Sequence, residues 1–520
     1  IDVFHEFYPI KYLTSKPLDT FYNQNEFGQF LLIEKASNTN FITISYQLEE
    51  ELDESFISPF LFPDPSSLWN GLREKILKRA LHNFLVPVAI ENAKNMLHTR
   101  SVDWLQSVVQ SGMQERLMVA PVSLSSSIDT SFLSPDNNNN NTGNDSDTWS
   151  VFGVSFGKGD YKSFVHVSVV DNLCRTIHQE CWSSKSDYIQ PFNELIDRFR
   201  PIAIGVGGLS IATRRLYDGI RMVALSIPVF YVVDDTSRIE MMATDDSLYS
   251  YCSSLARKLI FPLYEYARLY DTNSDSLSSL LLHPLQPFFL TSSQSLSIIE
   301  RALINVVNLV GVDFNLCTNG KHFSSFHVLQ FICGLGKRKA HWVKEQIFQE
   351  GICIAKRTDL VGLFGKKVYA NCASFLRIDP KFVTPGDSVG NGAMAEPLDV
   401  TRIHPESYYI ARKMAANALD VEESPEDDIY NQGVLVEEVM EHAEKLDELD
   451  LDGFARELER VHSVLKHITL QDIKLELQSP FKVSSFISFS GATEDEVFQM
   501  LTGESDATLH PGLLVSGTVG

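Results

Sequence analysis

Hydrophobic positions along this chain follow two different periods, and the order in which they alternate predicts its organisation. From Ser66 to Leu117 apolar residues recur at three and four positions: Leu68, Leu72, Ile76, Ala80, Leu81, Phe84 and Leu85, then Trp104, Leu105, Val108 and Val109. Gln106 and Ser107 fall on the polar side of the second run. This spacing predicts two amphipathic helices. The stretch before them, to about Pro65, holds the short apolar runs Phe30–Ile33 and Phe41–Ile44 between polar turns, which read as β-like.

Ser123 to Ser150 breaks the pattern with serines, a run from Asn137 to Asn141, and Asn144-Asp145-Ser146-Asp147. Such a tract cannot bury enough apolar surface to order itself, so it predicts a linker. Trp149–Gly157 then reads as a strand ending in a glycine turn, and Phe164–Val170 as its hairpin partner. A helix through Phe192–Phe199, a buried strand Ile202–Gly208, a helix Ile211–Met222 and a strand Val229–Val233 follow. A hairpin leading into alternating helices and strands predicts a mixed α/β sheet. Beyond Leu248 helical spacing runs to Asp379, pauses over a Gly/Pro-rich loop at 380–397, and resumes with heavy acidity between Asp420 and Glu459. Pro511–Gly520 reads as one strand with no sheet to join.

Composition narrows the classes. At 520 residues the chain is too long for one core, and 44% hydrophobic with 21% charged residues is ordinary for a globular protein. Even the apolar stretch Leu280–Leu290 is broken by His283, Pro284, Gln286 and Pro287, so no run reaches a membrane span. The opening Ile1-Asp2-Val3-Phe4-His5 has neither a starting Met nor a signal pattern and reads as a cut inside a longer protein. The seven cysteines form no CxxC pair and no zinc spacing, and are expected as buried, reduced thiols. A net charge of −23 confines any nucleic-acid contact to a local patch and leaves two readings, that acidity simply keeps a large protein soluble or that it meets a basic partner protein.

The sharpest motif is Cys333-Gly334-Leu335-Gly336-Lys337-Arg338-Lys339-Ala340. Glycines permit a tight turn into a helix whose first N–H groups attract an anion, and Lys337, Arg338 and Lys339 add charge at the same place. This is hairpin chemistry for holding a phosphate without reading bases. A weaker version stands at Gly362-Leu363-Phe364-Gly365-Lys366-Lys367. Two such hairpins suit a paired module gripping a duplex; the alternative is that they are rigid protein spacers.

The α/β unit suggests a ribonuclease-H-like fold, whose enzymes hold two metal ions about 4 Å apart with carboxylates. The first strand carries Ser155 where an acid is needed, and Ile202–Gly208 contains no acid. Asp234 and Asp235 alone cannot cage two ions and read as a turn or helix cap. Arg214, Arg215 and Asp218 read as solvated helix charges, and His404-Pro405-Glu406 as a helix start. No catalytic residue, metal ligand or cofactor is expected. A displaced-site, metal-dependent nuclease is the enzyme alternative.

At this point the residues resemble a known family. His283-Pro284-Leu285-Gln286, Val310–Asn315, Gly334–Lys339, Asn371–Ile378, Arg402-Ile403-His404-Pro405-Glu406, Leu449–Ala455 and Ile468–Ile473 are similar to the Tex proteins of bacteria and, more closely, to their eukaryotic relative, the Suppressor-of-Ty elongation factor that is also a histone chaperone. The resemblance implies a multidomain α+β fold, mostly α. Its parts would be a helical, helix-turn-helix-like region at 1–122, a disordered linker at 123–148, and a ribonuclease-H-like (YqgF-like) domain at 149–270. Tandem helix-hairpin-helix would follow at 271–385, an acidic death-like helical domain at 386–506, and the first strand of a truncated OB-type barrel at 507–520. It implies a nuclear, non-catalytic scaffold on the RNA polymerase II elongation complex. Its expected partners are histones and, through Gly334, Leu335, Gly336, Lys337, Arg338, Lys339, Gly365, Lys366 and Lys367, the backbone of duplex or single-stranded nucleic acid. An RNA-binding factor like Tex is a further alternative.

Overall fold

The computed structural model describes residues 24–39, 57–61, 68–122, 149–156, 164–183, 188–208, 211–243, 247–318, 325–350, 354–378, 396–419, 429–462 and 467–481, with isolated positions between 487 and 498. The expected linker at 123–148, the run Phe41–Ile44, the loop at 380–395 and the barrel strand at 507–520 lie outside the described residues. The described chain is mostly helical, with one mixed sheet of five strands. It divides into two compact units, the first comprising Ile1–Gly112, Leu281–Ile298 and Ala507–Gly520, the second Met113–Leu280 and Ile299–Asp506.

In the first unit Phe30–Ile33 belongs to a helix, Gln24–Asn38, and not to a strand. Leu31 packs with Leu105, Val109, Leu285, Leu290 and Ile298 in one core, and such lateral packing overrides the β propensity of a short apolar run. Helix Leu68–Ala80 passes through a wide π turn, Leu81–Leu85, into the long helix Val86–Leu117. Pro87 explains the widening: it has no N–H for the carbonyl four residues back and crowds it. Both expected helices are present, but on the first run the apolar stripe is largely uncovered. Leu72, Ile76 and Phe84 are 55%, 59% and 71% exposed while Leu81 is buried, and on the second run Leu105 and Val109 are buried.

In the second unit the sheet has the order β3-β2-β1-β4-β5. Its strands are β1 (Ser150–Ser155), β2 (Phe164–Asp171), β3 (Thr176–Ser183), β4 (Pro201–Val206) and β5 (Val229–Tyr231). β1 pairs antiparallel with β2 and parallel with β4; β2–β3 is antiparallel and β4–β5 parallel. β3 has no counterpart in the sequence reading because it is an exposed edge strand whose side chains do not alternate apolar with polar. β1 is buried along its whole length, as a central strand must be. Phe152, Val154, Val165, Val167, Ile204 and Val206 pack against helices Ile189–Phe199 and Ile211–Val223 through Phe192, Leu195, Leu216 and Ile220. Val151, Val170 and Ala203 pack against helix Ser247–Ile260 through Cys252, Leu255, Ala256 and Leu259.

Gly153 lies in mid-strand, as the reading of Trp149–Gly157 as a strand requires, and the expected turn at Gly157 lies outside the described residues. A Cβ on Gly153 would lie 2.0 Å from the Cys252 carbonyl oxygen, so its bare backbone is what lets helix Ser247–Ile260 approach the sheet. The expected run of helices beyond Leu248 is present, with one addition, a short parallel pair of β6 (Val312–Asp313) and β7 (Leu376–Arg377). A separate apolar cluster organises the C-terminal helices around Leu398, Tyr408, Ile410, Met414, Val436, Leu470 and Ile473. Cys174, Cys252, Cys317 and Cys372 are buried as expected, while Cys181 and Cys333 are exposed. No described helix is long and apolar enough to cross a membrane.

Candidate nucleic-acid interface

The first hairpin follows the 3-10 turn Ser325–Phe331 and leads into helix Lys337–Glu350. Gly334 and Gly336 both have left-handed backbones, at φ +93° and +75°, conformations that side chains resist. Leu335 between them is buried and anchors the loop, so its backbone and not its side chain is presented. Asn308 fixes the entry: its Nδ2 donates to the Phe331 carbonyl at 3.0 Å, and its Oδ1 accepts from the Cys333 N–H at 3.0 Å. Because the helix starts at Lys337, its first-turn N–H groups have no carbonyl within the helix.

Lys337, Arg338 and Lys339 are all exposed, yet two of them have intramolecular engagements. Lys337 Nζ lies 2.8 Å from Asp271 Oδ1. Lys339 Nζ donates to the Gly334 carbonyl at 2.8 Å, closing the turn on itself. Both lysines are positioned at the hairpin mouth by these contacts.

The second hairpin joins the short helix Leu360–Phe364 to helix Lys366–Cys372 through Gly365, at φ +71°. Lys366 and Lys367 are exposed at the start of that helix. The two hairpins meet: a Cβ on Gly334 would fall 3.0 Å from Asn371 Cβ and 3.5 Å from the Val368 carbonyl oxygen. The nine residues expected to face a nucleic-acid backbone lie on two hairpins, the turn of the first packing against the helix that follows the turn of the second.

In the sheet, Ser155 at the end of β1 is buried and donates through Oγ to the Gly207 carbonyl at 2.8 Å. Val206 closes β4 with no acid beside it. Asp234 accepts from Arg238 Nη2 at 2.7 Å and from the Tyr251 hydroxyl at 2.8 Å. Asp235 accepts from Arg116 and Tyr266, each at 2.6 Å, and from Lys258. Burial would raise the Asp235 pKa, but Lys258 and Arg116 hold it down at about 2. The pair expected as a turn or cap does stand at the start of helix Asp235–Ala243, and its carboxylates also form a buried ionic junction. Glu265 repeats the theme: burial opposes its charge, while Arg257 and Arg268 hold its pKa at about 2. Among the described residues no group of three or more His, Cys, Asp or Glu is arranged to hold a metal ion. Arg214, Arg215 and Asp218 are exposed on helix Ile211–Val223, and His404 caps the turn Pro405–Ser407 by accepting from the Glu406 N–H, both as expected.

Sequence reasoning missed Asn308, Asp271 and Arg357. Asn308 left a faint signal as a polar residue in the apolar helix Ser292–Val310. Asp271 and Arg357 left none, because their partners are distant in sequence.

Comparison with known proteins places these features. A family model described as a helix-hairpin-helix motif matches residues 275–379, and one described as an HHH domain matches 396–482. The second match covers much of the region expected as an acidic death-like domain. Together with the sheet, they define a multidomain, mostly helical protein with tandem helix-hairpin-helix domains. Over 536 residues the chain is 31% identical to "Transcription elongation factor spt6" of Schizosaccharomyces pombe, covering 98% of this chain and 37% of that protein. It is 30% identical to "Transcription elongation factor spt-6" of Neurospora crassa (100% and 38%) and 26% identical to "Transcription elongation factor SPT6" of Drosophila melanogaster (98% and 29%). Along the length it spans, the chain is a homologue of the Spt6 transcription elongation factors. It covers well under half of each of these relatives.

Proposed function

We propose that this chain is the scaffold core of a transcription elongation factor in the nucleus, and that its abutting hairpins hold nucleic-acid backbone without reading sequence. The observation that carries the proposal is the packing of the Gly334 turn against helix Lys366–Cys372 at Val368 and Asn371, which sets Lys337, Arg338 and Lys339 on one turn beside the helix that Lys366 and Lys367 begin. A helix start with exposed cations is suited to one phosphate, and two such starts in one packed pair of hairpins suit two contacts with a nucleic-acid backbone. The RNA polymerase II elongation complex is the assembly on which the scaffold works. The acidic helices between Asp420 and Glu459 are suited to basic histone surfaces.

The strand order 3-2-1-4-5 with an antiparallel β2 supports a ribonuclease-H-like reading of residues 149–270. On that reading the domain is a platform: Ser155 bonds a backbone carbonyl, and Asp234 and Asp235 are committed to Arg238, Arg116 and Lys258. Incubation of the chain with Mg²⁺ or Mn²⁺ and DNA or RNA substrates tests this. Intact substrates are expected; cleavage abolished by Asp234→Asn would reinstate the nuclease alternative.

A further inference from the structure

An acidic residue stands at the mouth of the first hairpin, brought there from the end of helix Pro262–Thr272. The Asp271 side chain is 10% exposed, with Oδ1 at 2.8 Å from Lys337 Nζ and Oδ2 at 2.9 Å from His327 Nδ1. His327 lies on the turn Ser325–Phe331 that feeds the hairpin. Lys337, by contrast, is 61% exposed, so its ammonium can change partners without unfolding anything.

Burial would raise the Asp271 pKa, but hydrogen bonds from Lys337 and His327 hold it below the usual carboxylate range. Burial also lowers the His327 pKa, so at neutral pH the ring is uncharged and donates its Nδ1 proton. The carboxylate therefore carries a full negative charge beside the first cation of the hairpin. Its oxygens have the same hydrogen-bond chemistry toward an ammonium as phosphate oxygens.

We propose that Asp271 is a built-in competitor at the hairpin, occupying Lys337 where a backbone phosphate would and so holding nucleic-acid affinity down. The inference rests on the phosphate-holding reading above. It assigns that site a brake, with Lys337 as the moving part and Arg338, Lys366 and Lys367 as the contacts available from the start. A structural brace makes the opposite prediction, since loosening the turn would weaken binding.

The test is binding of the full chain to a fluorescent duplex DNA by anisotropy, from 50 to 200 mM salt. Asp271→Asn retains the shape and an acceptor for His327 while removing the charge. Removing one anion from the site should tighten binding roughly threefold to tenfold at low salt and steepen the salt slope by up to about one. Adding Lys337→Ala to Asp271→Asn should abolish the gain. Unchanged or weaker binding by Asp271→Asn, with the parent still binding duplex, overturns the competitor and makes Asp271 a brace. If the parent, Asp271→Asn and the double variant all fail to bind, the phosphate-holding reading itself falls. Should Asp271→Asn fail to fold, Lys337→Ala alone decides. The competitor predicts less than half a charge of slope lost, and loss of a full charge overturns it.

Discussion

Arg357 engages Asp399 at two points: its backbone N–H donates to the carboxylate at 2.7 Å, and its Nη2 donates to the Asp399 carbonyl at 2.9 Å. The rest of the guanidinium is equally committed, to the carbonyls of Leu376, Ile403 and Thr401 and to the Tyr408 hydroxyl. All five N–H donors of an arginine are used, inside a side chain with no solvent exposure. Arg357 lies in the segment matched by the helix-hairpin-helix motif, and Asp399, Thr401, Ile403 and Tyr408 in the segment matched by the HHH domain. The residue is a bolt between them. Lysine offers three donors from one point and leaves several carbonyls unpaired, so Arg357→Lys should cost about 3 kcal/mol or more in denaturant unfolding. A loss below about 1 kcal/mol would show that the joint does not depend on the guanidinium fork.

Gly334 and Gly336 share a left-handed backbone but differ in surroundings. Alanine at Gly336 meets nothing within 4 Å and bears only backbone strain, about 1–2 kcal/mol. Alanine at Gly334 adds contact with Asn371 at 3.0 Å, pressing the two hairpins apart. Gly334→Ala should therefore lower the melting temperature more than Gly336→Ala and weaken duplex binding at the same time. Equal shifts would contradict the close packing of the hairpins.

Acid should unfold the second unit through its buried carboxylates. Folding lowers the Glu265 pKa from 4.5 to about 2 and the Asp235 pKa from 3.8 to about 2. Groups with depressed native values stabilise fully above their unfolded values and lose that contribution as pH falls toward the native ones. Melting temperature should fall steeply between about pH 4.5 and pH 2. Glu265→Gln should remove part of that slope and destabilise at neutral pH, because it leaves two buried arginines, Arg257 and Arg268, with one carboxylate fewer between them. A flat acid limb in the parent would contradict the ionic cluster.

The stripe on helix Leu68–Ala80 gives the reverse expectation. Leu72 and Ile76 are more than half exposed, so Leu72→Ser and Ile76→Ser should change stability by no more than about 0.5 kcal/mol each. Losses of about 2 kcal/mol or more would place the stripe in a core after all.

These residues also mark how far the sequence could be read. Alternation and length located β1, β2, β4 and β5, and glycine followed by cations located both hairpins, because those signals are local. Leu72 and Ile76 located their helix but not its surroundings, because a helical period says which face is apolar and not whether anything covers it. Gly153 was legible as a strand residue but not as a point of close approach, because the Cys252 carbonyl that it admits comes from a helix distant in sequence. Arg357 was silent: its carboxylate partner stands 42 positions away, and no periodicity links them. Within the hairpin, charge was legible and its engagement was not. Lys337 and Lys339 look equivalent to Arg338 in sequence, but Asp271 and the Gly334 carbonyl hold them.

That distinction selects the decisive measurement, the salt dependence of duplex DNA binding by the full chain with Arg338→Ala, Lys366→Ala and Lys367→Ala combined. If the abutting hairpins hold phosphates, the slope of log affinity against log salt should fall by about two to three, with equal loss on unrelated sequences. A slope unchanged from the parent would contradict the account and leave the hairpins as spacers between protein surfaces.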